Sequence, residues 1–237
     1  MRKLSESIWS DMQDRSSGEV VRQEDLIITN EDLRNKIIEL YIEQGEGETL
    51  DVSSLTNCIK CDDFSYIFSE FDKVKHIIGL EDWDVSNVKN MDGMFDYCYN
   101  FNADLSKWDV SSVRDMKYMF QNCENFNSDL SKWDVSSVRD MSYMFGGCDK
   151  FNCDLSKWDV SNAENMRDMF VGCKSFNSDL SNWNVSGVYY MRNMFKDCRK
   201  FNSDLSKWNV SKVEVMDHMF DYCKSLEQIP SWYKNKY

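Results

Sequence analysis

The sequence predicts an α/β repeat solenoid, a leucine-rich-repeat-like stack of 25-residue coils behind a helical N-terminal cap. Three observations predict it. A 25-residue unit recurs without a gap from residue 76 to residue 225. Its apolar residues return in fixed columns, as they must when each unit buries its apolar face against its neighbours. The flanks differ in kind: residues 1–49 read as a helical cap and linker, residues 50–75 as a diverged first coil, and residues 226–237 as a C-terminal cap.

The first element is N-terminal. Residues 4–15 place Leu4, Ile8, Trp9 and Met12 on one helical face, and residues 16–25 read as a polar linker. Asn30-Glu31-Asp32 then suits an N-cap followed by acids in the first turn. Leu33, Ile37, Ile38 and Tyr41 make an apolar stripe, so a helix over residues 30–44 is expected, ended by Gly45 or Gly47. In the diverged coil, Leu50 stands for the Trp of later units, and Tyr66-Ile67-Phe68 for their Met-Phe step.

The repeat itself reads F-N-x-D-L-S-x-W-D-V-S-x-V-x-x-M-x-x-M-F-x-x-C-x-x, with Phe101 as position 1 of its clearest copy. Trp recurs from Trp83 to Trp208, Leu from Leu105 to Leu205, and Met-Phe from Met94-Phe95 to Met219-Phe220. Twelve of the 14 Met lie in two columns. That regularity marks a core; thioethers with only two His in the chain do not make a metal or cofactor site. The stretch L-S-x-W-D-V suits a short strand. The three-residue spacing of Val, Met and Met, and of Phe and Cys, suits a short α- or 3₁₀-helix, with Ser111 and its equivalents as N-caps. Ser161 with Glu164, and Ser211 with Glu214, complete capping boxes.

Six of the nine Cys, Cys98 to Cys223, are 25 residues apart. They are expected to be buried thiols, because free Cys packs as a small apolar residue. Coils about 4.8 Å apart would also permit disulfides between them. Cys153 lies off the column and is expected at the surface, and Cys58-x-x-Cys61 stands alone, without the second Cys/His pair that zinc needs. The Asn column (Asn102 to Asn202) is expected to bond to itself and to turn backbone. The Asp column from Asp104 to Asp204 is expected to serve turns. A calcium ladder is the alternative, weakened because the second acidic column changes to Asn184 and Asn209. At the C-terminus, Pro230 and several Lys should stop edge pairing.

A net charge of −13 argues against nucleic acid or an anionic membrane as partner. No Walker A, G-x-G-x-x-G or H-E-x-x-H motif is present, and His76 and His218 are six coils apart, so no enzyme, cofactor or metal is expected. The first residues lack the apolar stretch of a signal peptide and no run would span a bilayer, so a cytoplasmic location is expected. Function should therefore reside where the units disagree. Those positions are 7 (Lys107, Lys132, Lys157) and 14–15, where Arg114-Asp115 and Arg139-Asp140 give way to Tyr189-Tyr190. Exposed aromatics and Arg suit a protein partner.

The W-D-V-S and M-F-x-x-C blocks closely resemble the repeat of the BspA-like surface-protein family, over residues 50–232. That family occurs in mycoplasma lipoproteins, other bacteria, some protists and giant DNA viruses, and T-N-E-D-L-R resembles the head of the giant-virus versions. The resemblance implies a leucine-rich-repeat-like solenoid with protein binding or adhesion as its role, and brings no catalytic residues. An intracellular interaction scaffold, monomeric or weakly self-associating, is the expected function. A self-associating virion or assembly component, or a surface adhesin, is the alternative.

Overall fold

The computed structural model describes residues 26–57 and 59–234. The predicted helix of residues 4–15, the linker and Cys58 lie outside them. The described elements are α1 (Asn30–Glu43), β1 (Thr49–Asp51), β2 (His76–Ile78) and α2 (Ser231–Lys234), with 3₁₀ turns at Ser53–Leu55 and Leu80–Asp82. β1 and β2 form a two-stranded parallel sheet in the register Leu50↔Ile77. Leu50 therefore matches a residue six before Trp83 and does not stand for a Trp. Phe68 does stand where the later units have their Phe: it stacks on Phe95 with centroids 5.4 Å apart.

From residue 76 onwards the molecule is a repeat fold built of turns. The expected strand and helix of each unit are absent from residues 84–230. The parallel pairing falls elsewhere, as single bridges along position 15: Asp63, Asn90, Asp115, Asp140, Asn165, Tyr190 and Val215. Positions 1–5 form no backbone ladder, and a side chain supplies the acceptor between units instead. Asn127 N–H donates to Asn102 Oδ1 at 2.8 Å, and the same bond repeats through Asn152, Asn177 and Asn202.

The M-x-x-M-F-x-x-C block is not a helix for a related reason. Positions 18 and 22 are left-handed in every unit, for example Tyr118 (φ 56°) and Asn122 (φ 59°). They close consecutive turns, Met119 N–H to Met116 O and Cys123 N–H to Phe120 O, with the left-handed third residue of a type II turn. The alternate N–H groups of Met116, Tyr118, Phe120 and Asn122 donate to carbonyls of the next unit at 2.7–3.0 Å. A helix would have pointed them along its own axis.

Ser111 is accordingly no helix cap. Its N–H donates to Asp109 Oδ1, and Ser106 N–H to Asp104 Oδ1, as Asx turns. Asn184 and Asn209 accept the same bond from Ser186 and Ser211, so Asp and Asn are interchangeable there. The capping boxes at Ser161 and Ser211 have no helix to cap.

The constant columns are the core. Trp, both Met, Leu and Phe of every full unit are buried. Same-column Phe rings stack 5.6–6.0 Å apart, and Trp183 lies on Trp208 at 6.5 Å with 2° between planes. Each core polar atom is spent on the preceding unit: Trp133 Nε1 donates to Leu105 O at 2.9 Å, and the Cys148 thiol to Phe120 O at 3.0 Å. Trp83 Nε1, facing the diverged coil, finds no acceptor among the described residues. Cys153 is also buried, contrary to expectation. It takes the place of Ser178 and Ser203, whose hydroxyls accept the Leu N–H of the preceding unit; Leu130 N–H reaches Cys153 Sγ at 3.1 Å.

The two ends are closed differently. The N-cap of α1 is Thr29, whose hydroxyl accepts Asp32 N–H at 3.0 Å. Asn30 sits one residue inside, and its amide donates to Asp63 O and Ser65 O, carbonyls that a preceding unit would have bonded. Leu33 and Ile37 are buried, with Ile38 and Tyr41 packed at the margin. At the other end residues 226–232 continue the pattern: Glu227 N–H donates to Asn202 Oδ1, Trp232 stacks on Trp208 and its indole donates to Leu205 O. Pro230 is buried at the Leu position, so it is also part of the packing.

Candidate interaction surface

With the constant columns inside, the variable ones cover the surface. Lys107, Lys132 and Lys157 are exposed and stand on a strip with Asp104, Asp129 and Asp154. Each of these carboxyls is held below the usual range, first by the bonds from its Asx-turn Ser, with the neighbouring Lys a lesser cause. The strip is charge-balanced.

Arg114, Arg139 and Tyr189 occupy a second strip. Each position-14 N–H donates to the position-14 carbonyl of the preceding unit at 2.8–2.9 Å, so these side chains stand in register as a ridge. Lys89, Arg114 and Arg139 come first, Glu164 pairs with Arg139 at 3.8 Å, and Tyr189 lies between Glu164 and Glu214. Tyr190 takes the column where Asn90, Asp115, Asp140 and Asn165 accept a turn N–H. Having no such oxygen, it turns its ring outward, 43% exposed and 6.4 Å from Tyr189. The structure thus brings Arg114, Arg139, Tyr189 and Tyr190 onto one face and leaves the three Lys on another strip.

Positions 17 and 18 extend the ridge, and sequence reasoning missed them. Tyr118 and Tyr143 lie 5.0 Å apart, with Lys117 4.7 Å over the first ring and Arg167 5.9 Å over the second. Arg167 also binds Asp168, whose carboxylate is 4% exposed and accepts from Asn193 Nδ2 at 2.9 Å. Burial, then the bond to Asp168, pushes the Tyr143 phenol up. Tyr66 extends the row toward the N-terminus: its ring covers Gly93, and its hydroxyl donates to Asp92 Oδ1 at 3.1 Å. Burial raises the carboxyls of Asp92 and Asp115, and pushes Asp96 up to about 6. The signal was present, because columns 17 and 18 vary as much as 14 and 15; reading them as a helix hid that they share a face with the ridge.

Burial also raises the thiols, Cys61 to about 11 and Cys98 to about 12, so they are poor nucleophiles. The described residues contain no group of three or more His, Cys, Asp or Glu able to hold a metal, and no helix long and apolar enough to cross a membrane.

No curated protein and no solved structure matches the chain. One family model does, twice, over residues 62–175 and 153–236, and it is described as a Mycoplasma protein of unknown function. The two matches together span residues 62–236, from the middle of the diverged coil through the whole repeat, and the chain belongs to this BspA-like repeat family, DUF285.

Proposed function

We propose that the chain is a leucine-rich-repeat-like solenoid that acts as a non-catalytic scaffold, binding another protein through the face formed by positions 14, 15, 17 and 18. The observation that carries this reading is Tyr190. It abandons the turn-forming Asp or Asn of its column and presents an aromatic ring beside Tyr189. Two Arg on the same ridge and the Tyr118–Tyr143 pair with its cations add the side chains that dominate protein interfaces. The surface carboxylates are engaged in turns, which favours binding over chemistry. The charge of −13 favours a protein over nucleic acid or membrane, and a cytoplasmic setting suits the free thiols.

Affinity capture from the native cell tests this, comparing wild type with Tyr189→Ala/Tyr190→Ala and with Tyr118→Ala/Tyr143→Ala. Loss of two aromatic anchors should weaken a genuine partner by about tenfold or more. Retention of every captured protein by both variants would sink the reading.

A further inference from the structure

The edge formed by positions 22 and 24 is separate from the face proposed above. The two columns adjoin: Tyr97 and Tyr99 meet edge to face at 6.0 Å, and Arg199 Nε binds Asp197 Oδ1 at 2.9 Å. Position 24 runs Tyr99, Glu124, Asp149, Lys174, Arg199, Lys224. Its two acids precede its three bases, in a chain that is acidic as a whole. Neighbours in the column are within reach, since Lys174 Nζ lies 2.6 Å from Asp149 Oδ2. Position 22 runs Tyr97, Asn122, Gly147, Gly172, Asp197, Tyr222. It is large at both ends and bare in the middle, with Tyr97 and Tyr222 among the most exposed apolar side chains.

Both orders make sense under one symmetry operation. A two-fold axis across the strip, between the coils of Gly147 and Gly172, sets each coil of one copy against its opposite number in a second. Glu124 then faces Arg199 of the second copy, and Asp149 faces its Lys174, each pair occurring twice. Tyr99 faces Lys224, a cation over a ring. Tyr97 faces Tyr222, while the glycines let the backbones approach at the centre. A parallel arrangement would instead set like charge on like.

We infer that this edge is a homodimer interface, in which two copies associate antiparallel through positions 22 and 24. The strip is about 24 Å long at about 4.8 Å per coil, which makes it a small interface and the dimer a weak one. Because its specificity is ionic, the dimer is salt-sensitive. The two-fold contact is used up in one pairing, so association stops at two.

Sedimentation velocity over a concentration series tests this at about 0.01 M and about 1 M ionic strength, where charges are screened beyond about 30 Å and about 3 Å. Wild type should dimerise at low salt and weaken by about tenfold or more at high salt. Glu124→Lys/Asp149→Lys leaves the column no acid, and Lys174→Glu/Arg199→Glu leaves it four acids with Lys224 as its one base; each alone should be monomeric. An equimolar mixture of the two should form a heterodimer, and all four changes in one chain should restore the homodimer, which shows that the variants still fold. A wild type monomeric throughout the low-salt series, assemblies larger than two, a dimer indifferent to either double change, or a mixture that stays monomeric would each overturn the inference.

Discussion

The side chains that matter most are those that make bonds between units. Asn152 is one: its N–H donates to Asn127 Oδ1 and its own Oδ1 accepts Asn177 N–H, each at 2.8 Å. Asn152→Ala should cost about 1 kcal/mol in urea unfolding, the worth of one such bond at an exposed site. Asn152→Asp keeps the acceptor and should cost less; equal losses would contradict the ladder. Asp96 gives a prediction of opposite sign. Burial raises its carboxyl to about 6, with Asp92 and Glu70 adding to the effect, and Oδ1 is buried with no hydrogen-bond partner among the described residues. A raised acid favours the protonated fold, so its contribution is present below the unfolded value near 4 and lost as pH rises through about 6. Asp96→Asn should therefore stabilise by about 1 kcal/mol at pH 7.5, after discounting for its half-exposed setting, and by nothing near pH 4. Thermal melts at both values check this, and a gain of equal size at both would refute the assignment. The Asx-turn carboxyls act the other way. Their values are lowered, first by their Ser partners, so their contribution is present above the unfolded value and fades as pH falls below it.

At the scale of the element, the sequence was legible where a column holds one residue type and misleading where it does not. Trp, Leu, Met and Phe are each constant and each buried, as expected, the Cys column is buried from Cys98 to Cys198 with Cys223 half-buried, and the Asn ladder follows from its column. The left-handed positions 18 and 22 hold Gly, Tyr, Asn, Asp and His in turn, so no single residue marks them. The three- and four-residue spacing of Met, Met and Cys fits a helix equally well. Only the destination of the alternate N–H groups, the next unit, separates a stack of turns from a helix, and a spacing pattern does not contain it. Gly93 is the exception that can be tested. It is left-handed, and a Cβ there would lie 2.1 Å from the Tyr66 ring. Gly93→Ala should destabilise by about 1–3 kcal/mol through clash and backbone strain. Adding Tyr66→Ala should recover the part due to the clash, so a double change that costs the sum of both would argue against it.

Across the whole molecule, each unit bonds only to its neighbours, through Cys, Trp, Asn and backbone groups that all point one unit away. Such a fold should protect its thiols as a block. Cys123, Cys148, Cys173 and Cys198 are fully buried and burial holds their thiols up, so iodoacetamide should label them only as the protein unfolds in urea. Labelling of the native column would mean that the units open singly. The proposed recognition surface was legible only in part, because Arg114, Arg139, Tyr189 and Tyr190 share a face that their variation announced, while Tyr118 and Tyr143 join it through turns that the spacing concealed. The fold depends on the unit of 25 residues being self-contained in register. Deleting Phe126–Lys150 removes one whole unit and leaves every column continuous, whereas deleting residues 126–137 shifts all of them. Urea unfolding followed by tryptophan fluorescence should show a single cooperative transition for the whole-unit deletion, with a denaturant slope only modestly below that of wild type, and none for the half-unit deletion. Loss of the transition in the first, or its survival in the second, would contradict the stack.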